Sequence, residues 1–252
     1  MSAVMPCFVL FEPTHPGNVG AAARAIKTMG FDRLVLVNPR CEIGSEAAAR
    51  SSGALDVLEA ATVVPALADA VGDCGYIVGV SARRRTLNWP ELDPRGCAAE
   101  VVQTVGDTPV ALVFGPERAG LSNAELDLCH ALVCIPSNPG YGSLNLAMAV
   151  QIIAYELRIA MLETPREPGP VREPASVQDM EYFYAHLQRA LISGGFLDPD
   201  NPRHLMRRLR RLFNRARVDR NELNILRGML SALAPGTGDN EPAVPGRNAQ
   251  SQ

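Results

Sequence analysis

The chain has 252 residues, of which 47% are hydrophobic, and a formal net charge of −3. That length holds one large α/β domain with or without a small appendage, and that hydrophobic share is the share of a globular protein with a core. The slight acidity excludes a uniformly basic nucleic-acid binder, so any contact with nucleic acid has to come from a local patch.

In chain order, the predicted strands are 7–12 (CFVLFE), 33–38 (RLVLVN), a weaker 62–64 (TVV), 76–81 (YIVGVS), 110–115 (VALVFG) and 132–136 (LVCIP). These runs are apolar throughout rather than alternating, as parallel strands covered on both faces require. Helical patterns lie between them. In 18–29, Val19, Ala22, Ala23, Ile26 and Met29 form one apolar stripe, with Asn18 read as N-cap and Gly30 as the residue that ends the helix. In 122–129, Ser122 and Glu125 have capping-box spacing. A long helix follows over 144–163. The β-α-β-α order predicts a mostly parallel sheet with helices on both faces, within a domain spanning residues 1–163.

Residues 164–175 contain four prolines and are read as a linker. A small all-α extension is expected over 176–233, and a polar, Gly- and Pro-rich tail, expected to be disordered, over 234–252. The longest apolar stretch, 144–162, contains Asn145, Gln151, Glu156 and Arg158, so it is expected to be a helix with one buried face and not a membrane span. The N-terminal residues lack the basic start and apolar run of a signal peptide. The cysteines, Cys7, Cys41, Cys74, Cys97, Cys129 and Cys134, form no CxxC pair and have no His cluster beside them. They read as reduced core residues of a cytoplasmic protein, with no metal site expected.

In an open parallel sheet, ligands bind beyond the carboxyl ends of the strands, and here the loops at those ends carry the polar residues. The first, 12–25, has Gly17, Asn18, Gly20 and Arg24 but no GxGxxG fingerprint. Gly20 and Arg24 share a helix face, where a small residue lets a phosphate or another backbone come close; the plainer reading is a solvated arginine beside a helix-start glycine. The second loop, 81–90, carries Arg83, Arg84 and Arg85 before Trp89, either a grip on RNA phosphates or a solvated charge run. The third, 115–126, holds Glu117 and Arg118 between Gly115 and Gly120, either a ligand-shaping pair or a surface ion pair worth little. In the fourth, 136–147, Ser143 and Asn145 precede a helix and are either site residues or caps.

Taken together, in this order and spacing, the loops resemble the three motifs of the SpoU-type (TrmH) branch of the SPOUT methyltransferases. Motif one falls on Asn18-Val19-Gly20-Ala21-Ala22-Ala23-Arg24, motif two on 112–126 (LVFGPERAGLSNAEL) and motif three on 135–156 (IPSNPGYGSLNLAMAVQIIAYE), within a match from Phe8 to Leu162. The resemblance implies a parallel sheet whose C-terminal part is threaded into a deep trefoil knot. It implies S-adenosylmethionine bound in the knot loops, and a homodimer with each active site near the interface. It also implies methylation of an RNA ribose 2′-oxygen. Within the branch, the 81–90 loop, the first helix and the helical extension are most similar to enzymes that modify nucleotide 32 of the tRNA anticodon loop.

Carried over by motif, Asn18, Arg24, Glu117, Ser143 and Asn145 are the expected catalytic residues. Val80, Ser81, Ala82, Gly115, Ile135, Gly142, Ser143 and Leu144 are the expected cofactor contacts. Some relatives have arginine where Pro116 stands here, a change in loop stiffness that leaves Glu117 in place. The implied reaction is attack of a ribose 2′-oxygen on a sulfonium methyl carbon, which carries its own activating charge. Arg24 stays protonated, so it is read as a clamp on an RNA phosphate and the developing oxyanion rather than as a base. Separately, residues 203–220 contain eight arginines and one acid, Asp219. Leu205, Leu209, Leu212, Phe213 and Ala216 form an apolar stripe there, and the arginines elsewhere on the helix, with Arg207 and Arg211 foremost, are an electrostatic footprint for RNA. The alternative is a helix paired with acids such as Glu181 or Glu222, or a dimer contact. For the whole chain, the competing functions are an rRNA methyltransferase and a non-catalytic RNA-binding protein on the same fold.

Overall fold

A computed structural model describes residues 5–81, 91–104, 108–138, 140, 142–163 and 174–236. Ala82, Arg83, Arg84, Arg85, Trp89, most of the expected linker and the tail beyond 236 lie outside the described residues. In chain order the elements are β1 (Cys7–Phe11), α1 (Pro16–Thr28), β2 (Leu34–Val37), α2 (Ser45–Ser51), α3 (Leu55–Glu59), β3 (Thr62–Val64), α4 (Leu67–Val71), β4 (Tyr76–Val80), β5 (Glu91–Leu92), α5 (Pro94–Thr104), β6 (Val110–Phe114), α6 (Asn123–Leu126), β7 (Ala131–Val133), α7 (Leu146–Glu163), α8 (Val177–Ser193), α9 (Leu205–Ala216) and α10 (Arg220–Leu233).

The seven strands form one sheet in the order β3-β2-β1-β6-β4-β7-β5, and every pairing is parallel. All six predicted strands are present; β5 is too short to carry a pattern. The chemistry of the centre follows from two-sided burial: β4 and β6 are buried at every position. Successive residues of β1 feed opposite cores, Phe8 and Leu10 facing α1, α5 and α7, and Cys7 and Val9 the other side. Phe8 stacks on Phe114 with ring centroids 6.3 Å apart. All six cysteines are free, and burial pushes the Cys74 and Cys97 thiols up to about 12. No described helix is long and apolar enough to cross a membrane.

Two helix boundaries differ from the sequence reading. His15, not Asn18, caps α1: its Nδ1 accepts from Gly17 N at 3.1 Å, and Pro16 fills the first helical position, where a missing N–H is harmless. Gly30 ends α1 as predicted, at φ +82°. Ser122 and Glu125 do form the capping box of α6, but that helix stops at Leu126.

The helices α8, α9 and α10 enclose a separate apolar cluster built on Met180, Phe183, Tyr184, Leu187, Val218 and Leu223. Phe213 meets Phe183 edge-on at 4.9 Å. This unit docks under the amino end of the sheet. Val177 N donates to Cys74 O at 3.2 Å, and the Asn214 amide to Asp127 O at 3.2 Å and Cys129 O at 3.4 Å. These acceptors immediately precede β4 and β7.

Candidate active site

Four strands end level with one another. Leu10 and Val80 both pair with Phe114, and Val80 with Val133, so the segments after β1, β4, β6 and β7 open along one edge. There the three sequence motifs meet through a continuous hydrogen-bonded chain. Asn145 donates from Nδ2 to Asn18 Oδ1 at 2.8 Å; Asn18 donates from Nδ2 to Glu117 Oε1 at 2.9 Å; and Glu117 Oε2 accepts from Thr14 Oγ1 at 2.7 Å and Thr14 N at 3.1 Å.

Each member is placed by its own element. Because His15 caps α1, Asn18 in the first turn is free to reach across. Asn145 serves twice, its Oδ1 also accepting from Ala147 N at 2.9 Å to cap α7. Glu117 sits in a tight turn: Gly120, at φ +65°, donates from N to Pro116 O at 2.9 Å. That turn folds back so closely that a Cβ on Gly115 would lie 2.5 Å from Leu121 N. Burial works against the charge of Glu117, but hydrogen bonds from Asn18 and Thr14 outweigh it and hold the carboxyl below its ordinary range. The partners of Glu117 are thus Asn18 and Thr14, not its neighbour Arg118.

Arg24 is exposed on α1, about 9 Å along the helix from Asn18 at 1.5 Å per residue. Among the described residues its guanidinium makes no hydrogen bond or ion pair. Gly20 beneath it has a packing reason: a Cβ there would fall 2.0 Å from Ala47 O. Another backbone, that of α2, comes close at Gly20, so the glycine admits a helix rather than a phosphate. Ser143 is exposed and its side chain makes no hydrogen bond among the described residues.

The expected cofactor contacts line the same edge. Ser81 N donates to Val133 O at 2.9 Å, and Ser81 and Ile135 are buried. The 142–144 segment is held near by Ser137 Oγ, which donates to Gly142 O at 3.1 Å. A Cβ on Gly142 would lie 3.2 Å from Ser137 Oγ. Val80, Ser81 and Gly115 thus stand at the ends of β4 and β6, and Ile135 two residues past β7, where backbone groups and apolar side chains are what a flat adenosyl group would need. Ala82 lies outside the described residues.

The arginine-rich segment is partly spent on docking to the catalytic domain and on pairing within the extension. Arg207 Nε binds both carboxylate oxygens of Asp127, at 2.9 and 3.1 Å. Arg210 pairs with Glu181 and stacks over Tyr184, and Arg217 pairs with Glu100 and lies 4.1 Å over the Tyr76 ring. Arg208 and Arg215 remain exposed on the outer face of α9, with Arg211 half-buried between them. Leu212, expected in the apolar stripe, is 47% exposed there too. Burial, then repulsion from Arg207 and Arg215, lowers the pKa of Arg211. Sequence reasoning passed over Thr14 and His15; a polar pair directly before Pro16 is the signature of a helix start and was the signal available.

The sequence profile of the SpoU rRNA Methylase family matches residues 5–155, and that of the tRNA methyltransferase TrmJ C-terminal domain matches residues 178–243. A tRNA (cytidine/uridine-2'-O-)-methyltransferase TrmJ from Yersinia pestis (strain Pestoides F) is 50% identical over 243 residues, covering 92% of this chain and 95% of that protein. The crystal structure of TrmJ from Z. mobilis ZM4 superposes with a TM-score of 0.79 at 34% identity, covering 91% of this chain and 99% of that one. The SpoU methyltransferase AviRb from Streptomyces viridochromogenes, solved in complex with the cofactor AdoMet, superposes with a TM-score of 0.53 at 25% identity over 65% of this chain and 63% of that one. With both profiles matched in order and half of its residues shared with such a relative, the chain belongs to the SpoU methylase family, within its TrmJ group.

Proposed function

We propose that the protein is an S-adenosylmethionine-dependent tRNA ribose 2′-O-methyltransferase acting at nucleotide 32 of the anticodon loop. The observation that carries the reading is the Asn145–Asn18–Glu117–Thr14 chain, which ties the three motif segments to one edge, the edge on which we place the cradle for the adenosyl group. The names of its relatives support tRNA as the substrate.

When bound, S-adenosylmethionine supplies a methyl carbon made electrophilic by its own sulfonium charge. Val80, Ser81, Gly115, Ile135, Gly142 and Leu144 would hold the adenosyl group through backbone and apolar contacts, and the expected contact at Ala82 lies outside the described residues. Glu117, fixed on both oxygens, keeps α1 and the 142–145 segment in one geometry, so the reacting atoms meet in line. Arg24 clamps an RNA phosphate and stabilises charge growing on the 2′-oxygen, whose proton leaves to phosphate or water. Ser143, exposed at the rim, contacts the ribose or the cofactor. The catalytic domain spans 1–163, and the 176–233 extension adds phosphate contacts through Arg208, Arg211 and Arg215, with Arg83 and Arg84 from the 81–90 loop. Arg207 joins them only through the field of the cluster, because its own charge is paired to Asp127. Family membership supports the trefoil knot and a cytoplasmic setting.

The homodimer belongs to the same proposal and has an observation behind it. Met148, Tyr155 and Leu162 are 60%, 50% and 65% exposed and, with Ile152 and Ile159, recur at alternating four- and three-residue steps. Such a seam suits packing against a second helix.

The test is transfer of labelled methyl from S-adenosylmethionine to tRNA, with mapping of the modified ribose. Arg24→Lys keeps the charge but loses the two-pronged donor, so its kcat is expected to fall at least about tenfold. Transfer at the parent rate would refute the clamp, and binding of NAD in place of S-adenosylhomocysteine would refute the whole reading.

A further inference from the structure

Glu12 and Asn38 stand at equivalent points, each one residue past the end of its strand, since Phe11 pairs with Val37. Both leave the sheet in the left-handed region, at φ +46° and +45°. Side chains other than glycine adopt that conformation at a cost, and it persists only where the surroundings enforce it. Here the enforcement is dense. Glu12 N donates to Val37 O at 2.8 Å, Asn38 N to Val64 O at 2.9 Å, and Arg40 N to Pro13 O at 2.9 Å. Glu12 Oε1 accepts from Asn38 Nδ2 at 2.8 Å and from Arg40 Nη2 at 2.5 Å.

The turn so held leads straight to Thr14, which donates both its N–H and its hydroxyl to Glu117 Oε2. None of Glu12, Asn38 and Arg40 lies in the three motifs, and among the described residues none hydrogen-bonds to Glu117 itself, whose side-chain partners are Thr14 and Asn18. We propose that Glu12, Asn38 and Arg40 are positioning residues that set the orientation of Glu117 through Thr14, using two strained strand ends as a rigid corner. This rests on the proposed methyl transfer.

Glycine separates a positioning role from a structural one, because it accepts positive φ without strain while removing the side-chain link. Glu12→Gly and Asn38→Gly are expected to keep the melting temperature within a few degrees. The same variants should lower kcat about tenfold, with KM for tRNA and the Kd of S-adenosylhomocysteine held within about twofold. Glu12→Gln keeps the acceptor oxygen and should retain at least about half of kcat. In a Thr14→Val background, which loses the hydroxyl bond to Glu117 and keeps only the backbone N–H, Glu12→Gly should have a clearly smaller effect, because half of the link to Glu117 is already gone. The proposal is overturned if kcat is unchanged in both glycine variants, if kcat and melting temperature fall together, or if the loss is as large in the Thr14→Val background. Methyl transfer by the parent protein tests the underlying reading separately, so the two failures are distinguishable.

Discussion

Asn18→Asp is the sharpest test of the motif chain. The substitution is nearly isosteric, and an acid in the first turn of α1 favours the helix, so loss of fold is not the expected outcome. It replaces the amide that donates to Glu117 Oε1 at 2.9 Å by a second carboxylate. Two unit charges 4 Å apart repel by about 1 kcal/mol in water and about 4 kcal/mol at an effective dielectric of 20. Glu117 is half-buried, so about 2 kcal/mol is a fair middle value, or roughly a thirty-fold loss of kcat if all of it displaces the site.

The pH dependence carries a sign. In the parent, Glu117 is held below its ordinary range, so its hydrogen bonds persist from neutral pH down to the carboxylate region and are lost only as pH falls through its lowered pKa. In Asn18→Asp the two carboxylates disfavour double ionisation, so the pair takes up a proton at a raised pKa. Activity should therefore recover as pH falls toward that value, opposite to the parent. Asn18→Ala removes the hydrogen bond without adding charge and should show no such recovery. Initial rates of labelled methyl transfer to tRNA between about pH 5 and pH 9 read all three profiles. Parent-like activity of Asn18→Asp at pH 8, or identical profiles for the Asp and Ala variants, would refute the argument.

Two further outcomes follow from the packing. Gly20→Ala puts a Cβ 2.0 Å from Ala47 O, so α1 and α2 must part; a cost of about 1–3 kcal/mol should lower the melting temperature by roughly 2–12 °C, and an unchanged melting curve would contradict the close approach. Burial, assisted by the Arg217 cation, pushes the His130 imidazole down to about 4 from 6.5, while its Nδ1 accepts from Ile77 N at 3.0 Å. The unfolded chain takes up that proton first, so about 3 kcal/mol of stability is lost as pH falls from 6.5 to 4. His130→Asn keeps an acceptor and should remove most of that loss in urea titrations, whereas parallel stability curves would assign the acid sensitivity elsewhere.

What the sequence made legible follows from what each signal depends on. Two-sided burial writes itself into continuous apolar runs, so β1, β4 and β6 were readable residue by residue. The capping box of Ser122 and Glu125 is local and was readable too. Asn18 as N-cap was not, because its preference for helix starts is shared with its ability to bridge segments, and only the fold shows Glu117 within reach. Loop positions alone left Glu117 between a surface ion pair and a site residue; its hydrogen bonds from Asn18 and Thr14, 99 and 103 residues earlier, replace the ion pair with Arg118 and tie it to the first motif. The corner at Glu12 and Asn38 has only a faint sequence mark, since Asn visits the left-handed region more readily than most residues but Glu12 is neither that nor the glycine that such a turn usually advertises.

The extension shows how the same arginine count can serve two ends. Its docking contacts fall on Cys74, Asp127 and Cys129, which precede β4 and β7, and on Tyr76 at the start of β4 with Glu100 beside it, while the proposed cradle follows those strands, so the two surfaces lie at opposite edges of the sheet. Five residues of β4 at about 3.3 Å each separate them by roughly 17 Å. Deleting the extension is therefore a poor test of RNA binding. Val177 packs into the core on one face of the sheet, and Arg217 covers Tyr76, so truncation would also expose the underside of the catalytic domain. Charge reversal on the outer face avoids this. Arg208→Glu with Arg215→Glu leaves the Asp127, Glu181 and Glu100 pairs intact, and relieves rather than adds crowding around Arg211. If both arginines meet phosphates, KM for tRNA should rise, and the slope of log affinity against log salt should become shallower by roughly 1.4–1.8, about 0.7–0.9 per contact. The kcat at saturating tRNA and the Kd of S-adenosylhomocysteine should hold, because neither side chain approaches the cradle. An unchanged salt slope would mean that the outer arginines of α9 do not meet the RNA, leaving the arginine-rich segment with the docking role that Arg207 and Arg217 fill and the internal pairing that Arg210 makes with Glu181.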